Sequence, residues 1–216
     1  MKNEIELRNP CARGISPVWD KDSKVLIIGS MTSIDGLEKG FYYGSARNQL
    51  WEILDYCFNL NTDSIQSFSY LKNCLKSNHK ATIHGEISYE ESEENKRSIR
   101  NEFKKLMNKF HIAMCDVYME CYSLKNSSLD SSIIKHNLDA PIKDNKELLT
   151  QIIKNSKINL VLTNSREVEH VFKSFNIKGD YNVFYVPSPS PAYRKISLDE
   201  KKKIWKQIIH SKSYEI

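Results

Sequence analysis

The chain has none of the short signatures by which many enzymes announce their chemistry. There is no GxGxxG and no GxxxxGK(S/T), so a dinucleotide fingerprint and a P-loop are both missing. No GxSxG elbow marks a serine hydrolase. The five cysteines (Cys11, Cys57, Cys74, Cys115 and Cys121) form no CxxC pair, and Cys115 and Cys121 stand six apart without a matching histidine cluster. A zinc site is therefore not expected. An odd number of scattered, mostly apolar-flanked cysteines suits a reducing cytosol rather than a disulfide framework. No apolar run approaches the length of a membrane span, and Met1 to Leu7 lack the apolar core of a signal peptide. The expected location is the cytoplasm, with no membrane partner. Internal repeats and low-complexity segments are absent as well.

What is present fits an ordinary globule. The 216 residues are 40% apolar and 27% charged, which suits a single domain over residues 1–216. The net charge of +5 permits a nucleic acid or another polyanion as partner without demanding one.

Along the chain, Asn9-Pro10 and Gly14 to Pro17 read as turns of a lead-in. Val25 to Ile28 is an apolar run too short for a helix, and it stops at Gly29-Ser30. It reads as a buried parallel strand opening into a loop dense in glycine and aromatics. Asn48 to Phe58 follows with apolar residues at helical spacing. Asn61 to Lys80 keeps a helical, polar character, and His79 to Glu86 looks like a turn or short hairpin. The charge run Glu90 to Arg97 opens a helix reaching about Phe110, its acids preceding its bases as the helix dipole favours. The composition shift near 78–100 reads as an insertion on the scaffold.

Further strands are expected at His111 to Tyr118, Ile158 to Asn164 and Tyr181 to Val186. Ser127 to Asp130 caps a short segment between the first two. Helices are expected from Asn145 to Ile153, from a Ser165 cap to Phe175, and beyond a capping box at Ser197 to Glu200. Alternating strands and helices predict a three-layer α/β/α sandwich around a central, mostly parallel four-stranded sheet.

Two loops stand out for function. One follows Gly29; the other is Val186-Pro187-Ser188-Pro189-Ser190-Pro191-Ala192-Tyr193-Arg194. In a parallel sheet both fall at the carboxyl edge, where ligands bind. Three prolines stiffen the second loop. Its serines, the backbone N–H groups beside them and Arg194 offer a grip for phosphate, and a rigid structural turn is the plainer alternative.

Ile27-Ile28-Gly29-Ser30-Met31, then Gly40-x-Tyr42-Tyr43-x-x-x-Arg47-Asn48-x-x-Trp51, and finally Val186-Pro187-Ser188-Pro189-Ser190-Pro191-Ala192, together resemble the uracil-DNA glycosylase superfamily. The nearest likeness is to its hypoxanthine (deoxyinosine) branch. Ala113 to Val117 with Ser128-Leu129-Asp130 looks like that branch's middle segment, and the likeness runs from about Gly14 to Ile209, less the insertion. The resemblance implies an enzyme: a monofunctional DNA glycosylase that hydrolyses the N-glycosidic bond of a deaminated base, hypoxanthine or uracil, flipped out of DNA. It implies a monomer working without cofactor or metal, with damaged DNA as its partner. Asn48 matches the residue that orients the attacking water. Gly29, Ser30, Met31 and Tyr43 match the base pocket, Tyr43 as the stacking platform. Ser188 and Ser190 match the phosphate-binding loop, to which Arg194 could add. Asn164 would be a supporting residue behind the pocket. Pro191 to Lys195, which follows the phosphate loop, is the candidate to fill the vacated stack, with a basic surface turn as the alternative reading. The family's Pro-Gly is replaced here by Thr32-Ser33, and its His-Pro by Ser45-Ala46. Asn48 also reads as a helix cap, and Tyr43 as a core aromatic. A nucleic-acid binder without catalysis on the same fold is the alternative, and a nucleoside hydrolase a more distant one.

Overall fold

Val25, Ile27 and Ile28 are β-branched, and their run is too short to hold a helix, so the segment settles as a strand covered on both faces. The computed structural model describes residues 12–40, 42–45, 47–61, 66–70, 72, 93–121 and 143–212. Its strands are β1 (Ala12–Arg13), β2 (Val25–Gly29), β3 (Ile112–Asp116), β4 (Tyr118–Cys121), β5 (Lys143–Asp144), β6 (Leu160–Thr163) and β7 (Asn182–Tyr185). Its helices are α1 (Ile34–Lys39), α2 (Leu50–Cys57), α3 (Glu93–Lys109), α4 (Lys146–Lys154), α5 (Arg166–Ser174) and α6 (Leu198–Lys212).

The central sheet runs β3-β2-β6-β7, and every pair in it is parallel. Side chains alternate along β2. Val25 and Ile27 enter one core with Leu50, Trp51, Leu54, Phe103, Met107 and Trp205, contributed by α2, α3 and α6. Leu26 and Ile28 enter a second core with Leu149, Ile152, Val168 and Phe172, from α4 and α5. The three layers expected from the sequence are these.

Several local signals act as their chemistry predicts. Ser165 caps α5 by accepting from the Val168 N–H at 3.1 Å. Ser197 and Glu200 close a reciprocal capping box on α6, with bonds of 3.2 and 2.8 Å to each other's backbone N–H. Gly40 ends α1 at φ 70°, a left-handed turn that glycine takes without strain. The lead-in adds something the sequence did not suggest. β1, β4 and β5 form a small antiparallel sheet, too short in two of its strands to leave a periodic signal. The helix expected from Asn145 starts at Lys146, with Asn145 at its N-cap position; the Asn145 side chain makes no capping bond, and its amide donates to the Asp116 carbonyl at 2.9 Å. The turn at His79 to Glu86, the cap at Ser127 to Asp130 and most of the 78–100 insertion lie outside the described residues.

Candidate active site

Parallel pairing aligns the strand ends. Gly29 stands opposite Asp116, and Ile28 opposite Thr163, which stands opposite Tyr185. The loops leaving all four strands therefore open on one side, around a cavity of about 460 Å³. Gly29, Ser30, Met31, Tyr43, Asn48, Ser188 and Ser190, all singled out from the sequence, line this one cavity. Arg194 does not line it. It is exposed on the loop beyond, between Tyr193 and Lys195, which do.

Asn48 lies just ahead of α2. Its Oδ1 accepts from the Leu50 N–H at 3.0 Å, so it does cap the helix. A carbonyl oxygen has two acceptor directions, and the cap takes one of them. The turn is pinned further. Asn48 N–H donates to the Ser45 carbonyl at 3.0 Å, and Gln49 N–H donates to the Pro189 carbonyl at 3.0 Å. The buried Lys72 ammonium donates to the Asn48 carbonyl. Fully buried Leu50, Trp51, Ile53 and Leu54 anchor the helix behind it. Each such side chain contributes on the order of 1.5–3 kcal/mol by leaving water.

Tyr43 sits at φ 52°, a left-handed conformation that costs a tyrosine on the order of 1–3 kcal/mol. Contacts at both ends hold it there. The Trp51 indole N–H donates to its carbonyl at 3.0 Å, and the Asn164 amide donates to its hydroxyl at 2.8 Å. Its ring meets Trp51 edge-on, with centroids 6.3 Å apart. Asn164 also lines the cavity itself.

Asp116 ends β3 and was not among the expected site residues. It lines the cavity and is buried. Its Oδ2 accepts from the Thr32 hydroxyl at 2.6 Å. Burial pushes its pKa up to about 7, against the downward pull of the Thr32 hydrogen bonds. Thr32-Ser33, where the chain departs from the family motif, thus has two local functions. Thr32 holds the carboxyl, and Ser33 caps α1 by accepting from Gly36 N–H at 3.2 Å. A usable signal was in the sequence: an acid ending a strand that is otherwise wholly apolar.

Gly29 makes room for this cluster. A Cβ there would lie 2.6 Å from Asp116 Oδ1 and 3.1 Å from the Tyr43 hydroxyl. Gly29→Ala is expected to destabilise the fold by roughly 1–3 kcal/mol through overpacking, read by chemical denaturation. It should also crowd the pocket floor.

The second loop is stapled by its carbonyls. Pro187 O accepts from the Trp205 indole at 3.0 Å, and Ser190 O accepts from Lys201 Nζ at 3.2 Å and from Tyr193 N–H at 3.1 Å. Ser188 Oγ accepts from Ser190 N–H, and Ser190 Oγ from Ala192 N–H, each at 3.2 Å. Those two N–H groups are thus engaged within the loop, which corrects the expectation that they stand free for an anion. Each serine Oγ is an acceptor in these bonds and keeps its own O–H available to donate. Arg166 stacks over the Tyr185 ring at 4.1 Å, and the Tyr185 and Tyr193 hydroxyls lie 3.3 Å apart, forming an aromatic wall across the cavity.

The solution structure of a candidate uracil DNA glycosylase from Methanosarcina acetivorans is similar to this fold. The TM-score is 0.54 at 21% sequence identity, over 93% of this chain and 99% of that one. No curated protein matches the chain. Among the described residues, no helix is long and apolar enough to cross a membrane. The family model of the Uracil DNA glycosylase superfamily matches residues 17–209, a span that takes in every cavity-lining residue named above, and the chain belongs to that superfamily.

Proposed function

We propose that this protein is a DNA glycosylase that removes a deaminated base, hypoxanthine or uracil, flipped from DNA into the cavity. The observation that carries the reading is the meeting of Tyr43, Asn48, Asp116, Asn164 and the Ser188–Ser190 loop around one cavity at the carboxyl edge of the sheet. Each supplies something the reaction needs. Cleavage of the C1′–N bond sends its electron pair into the base and leaves an oxocarbenium-like sugar. Water then adds at C1′ and yields an abasic site.

Asn48 is a weak base, so its part is to accept from the water and aim it. Tyr43 gives a stacking face, worth ~1–3 kcal/mol per base in comparable sites. Asp116 Oδ2 is held by Thr32, which leaves Oδ1, on the Gly29 side, to address the base. A carboxyl that stays neutral until about pH 7 can donate its proton in a hydrogen bond to a base carbonyl. Negative charge collects on that carbonyl as the bond breaks, and a preorganised donor stabilises it. Ser188 and Ser190 hydroxyls reach the backbone phosphate.

The test is incubation of purified protein with duplexes carrying deoxyinosine or deoxyuridine, followed by alkaline cleavage at abasic sites. Cleavage at one of these bases, with the undamaged duplex intact, is the expected result. The absence of abasic product from either would sink the proposal. Salt-sensitive binding without base release would favour the non-catalytic binder.

A further inference from the structure

Lys201 occupies a position that ordinarily repels lysine. It lies in the first turns of α6 and is 1% exposed. Its ammonium donates to Gln49 Oε1 at 2.8 Å and to the Ser190 carbonyl at 3.2 Å, and lies 5.3 Å from the centroid of the Tyr193 ring. These partners are neutral. Among the described residues no carboxylate forms an ion pair with it. Burying an ammonium without a counter-charge is costly, and a helix N-terminal region disfavours a cation further. Desolvation accordingly draws its pKa below the usual lysine value.

The contacts of this side chain span the two halves of the site. Gln49 directly follows Asn48, and Ser190 belongs to the phosphate loop. Gln49 N–H reinforces the connection by donating to Pro189 O at 3.0 Å. We propose that Lys201 is a positioning residue that locks the Ser188–Ser190 loop to the Asn48 turn and supplies the buried positive charge that a DNA phosphate on that loop completes. The inference rests on the reading of the cavity as a DNA site. It explains why a charge is kept where a methionine or leucine would pack more cheaply. The missing counter-ion is the phosphodiester, and its arrival and the alignment of Asn48 are carried by one ammonium.

The test compares wild type with Lys201→Met, and with Lys202→Met as a control for loss of one charge on the same helix. Affinity is measured for a duplex carrying a tetrahydrofuran abasic analogue, and the saturating single-turnover rate for a deoxyinosine duplex. Lys201→Met is expected to weaken binding about tenfold, as loss of a phosphate-directed charge does. It should lower the saturating rate by roughly ten- to a hundredfold through misalignment of Asn48. Lys202→Met should stay within about twofold of wild type on both, as surface changes do. A folded Lys201→Met protein that matches wild type in both measurements overturns the proposal.

If that variant does not fold, Gln49→Met removes the amide whose oxygen Lys201 grips. It should lower the rate while leaving the affinity in place, and an unchanged rate would refute the coupling. If wild type binds the analogue duplex but releases no base, the glycosylase reading fails on its own. The affinity loss in Lys201→Met, or its absence, then decides the role of Lys201. Failure of wild type to bind DNA at all removes both.

Discussion

Replacing Asn48 with alanine is expected to lower the single-turnover rate of base release by roughly 10²–10³-fold, the usual consequence of losing one preorganised polar group at a reaction centre. Stability should fall far less. The side chain caps α2 through a single bond of 3.0 Å to the Leu50 N–H, and loss of such a cap costs about 1 kcal/mol. The helix is otherwise fastened by buried Leu50, Trp51, Ile53 and Leu54, which the substitution leaves in place. The two functions of Asn48 can also be separated. Asn48→Asp keeps the capping oxygen and a water acceptor, so it should unfold at the same denaturant concentration as wild type and run well above the alanine variant. Comparison of rates with unfolding midpoints makes the check. Equal rates for wild type and Asn48→Ala would remove Asn48 from the chemistry, whatever the cap contributes.

The position of Asn48, at the cavity and just ahead of a helix, was legible because its evidence is local. A glycine- and aromatic-rich loop, an Asn and then a helical apolar spacing lie within a dozen residues, and each leaves a mark in sequence. The central strands were legible for the same reason. Val25 to Ile28 and Ile158 to Asn164 are apolar runs with polar ends; the first observed strand extends one residue past its run, to Gly29, and the second, Leu160–Thr163, falls inside its run. Asp116 was harder to assign. Its importance comes from pairing with Gly29 across the sheet, and register between parallel strands 87 positions apart is not written in either strand alone.

The lysines were hidden by composition. Lys201 belongs to the run Asp199-Glu200-Lys201-Lys202-Lys203, which reads as a solvated surface. A positional signal existed even so. Residue 201 precedes Trp205 by four and Ile209 by eight, so helical period puts it on the buried face. The same reasoning finds no trace of Lys72, whose value lies in one bond to the Asn48 carbonyl. The small antiparallel sheet escaped because two-residue strands have no period to detect.

Asp116→Asn is expected to make the protein more stable and less active, and the two effects should separate with pH. The carboxyl titrates at about 7 in the folded protein, against 3.8 as its ordinary value. Between those limits the folded state holds a proton that the unfolded chain has released. Linkage then requires stability to fall as pH rises from about 4 to about 7, with the whole penalty in force above that. Asparagine cannot ionise, so the variant should gain on the order of 2–4 kcal/mol over wild type at pH 8, and little at pH 4. Urea unfolding at the two pH values measures this directly.

The catalytic side runs the other way. Below pH 7 wild type has an acidic O–H to donate to the base carbonyl. Above pH 7 it has a buried carboxylate beside a leaving group that is itself becoming negative. The wild-type rate should therefore fall as pH rises through 7. The variant, which offers only the weaker amide donor, should run about ten- to a hundredfold slower at pH 6 and lose that pH step. Arg166 and Lys195 are the other charged groups on the cavity wall besides Asp116. A wild-type rate that climbs through pH 7 would reverse the assignment. The ionised carboxylate would then be the working form, accepting the ring N–H that deamination creates on hypoxanthine and uracil. The stability difference at pH 8 would stand in either case, because it depends on the burial of Asp116 and not on which protonation state meets the base.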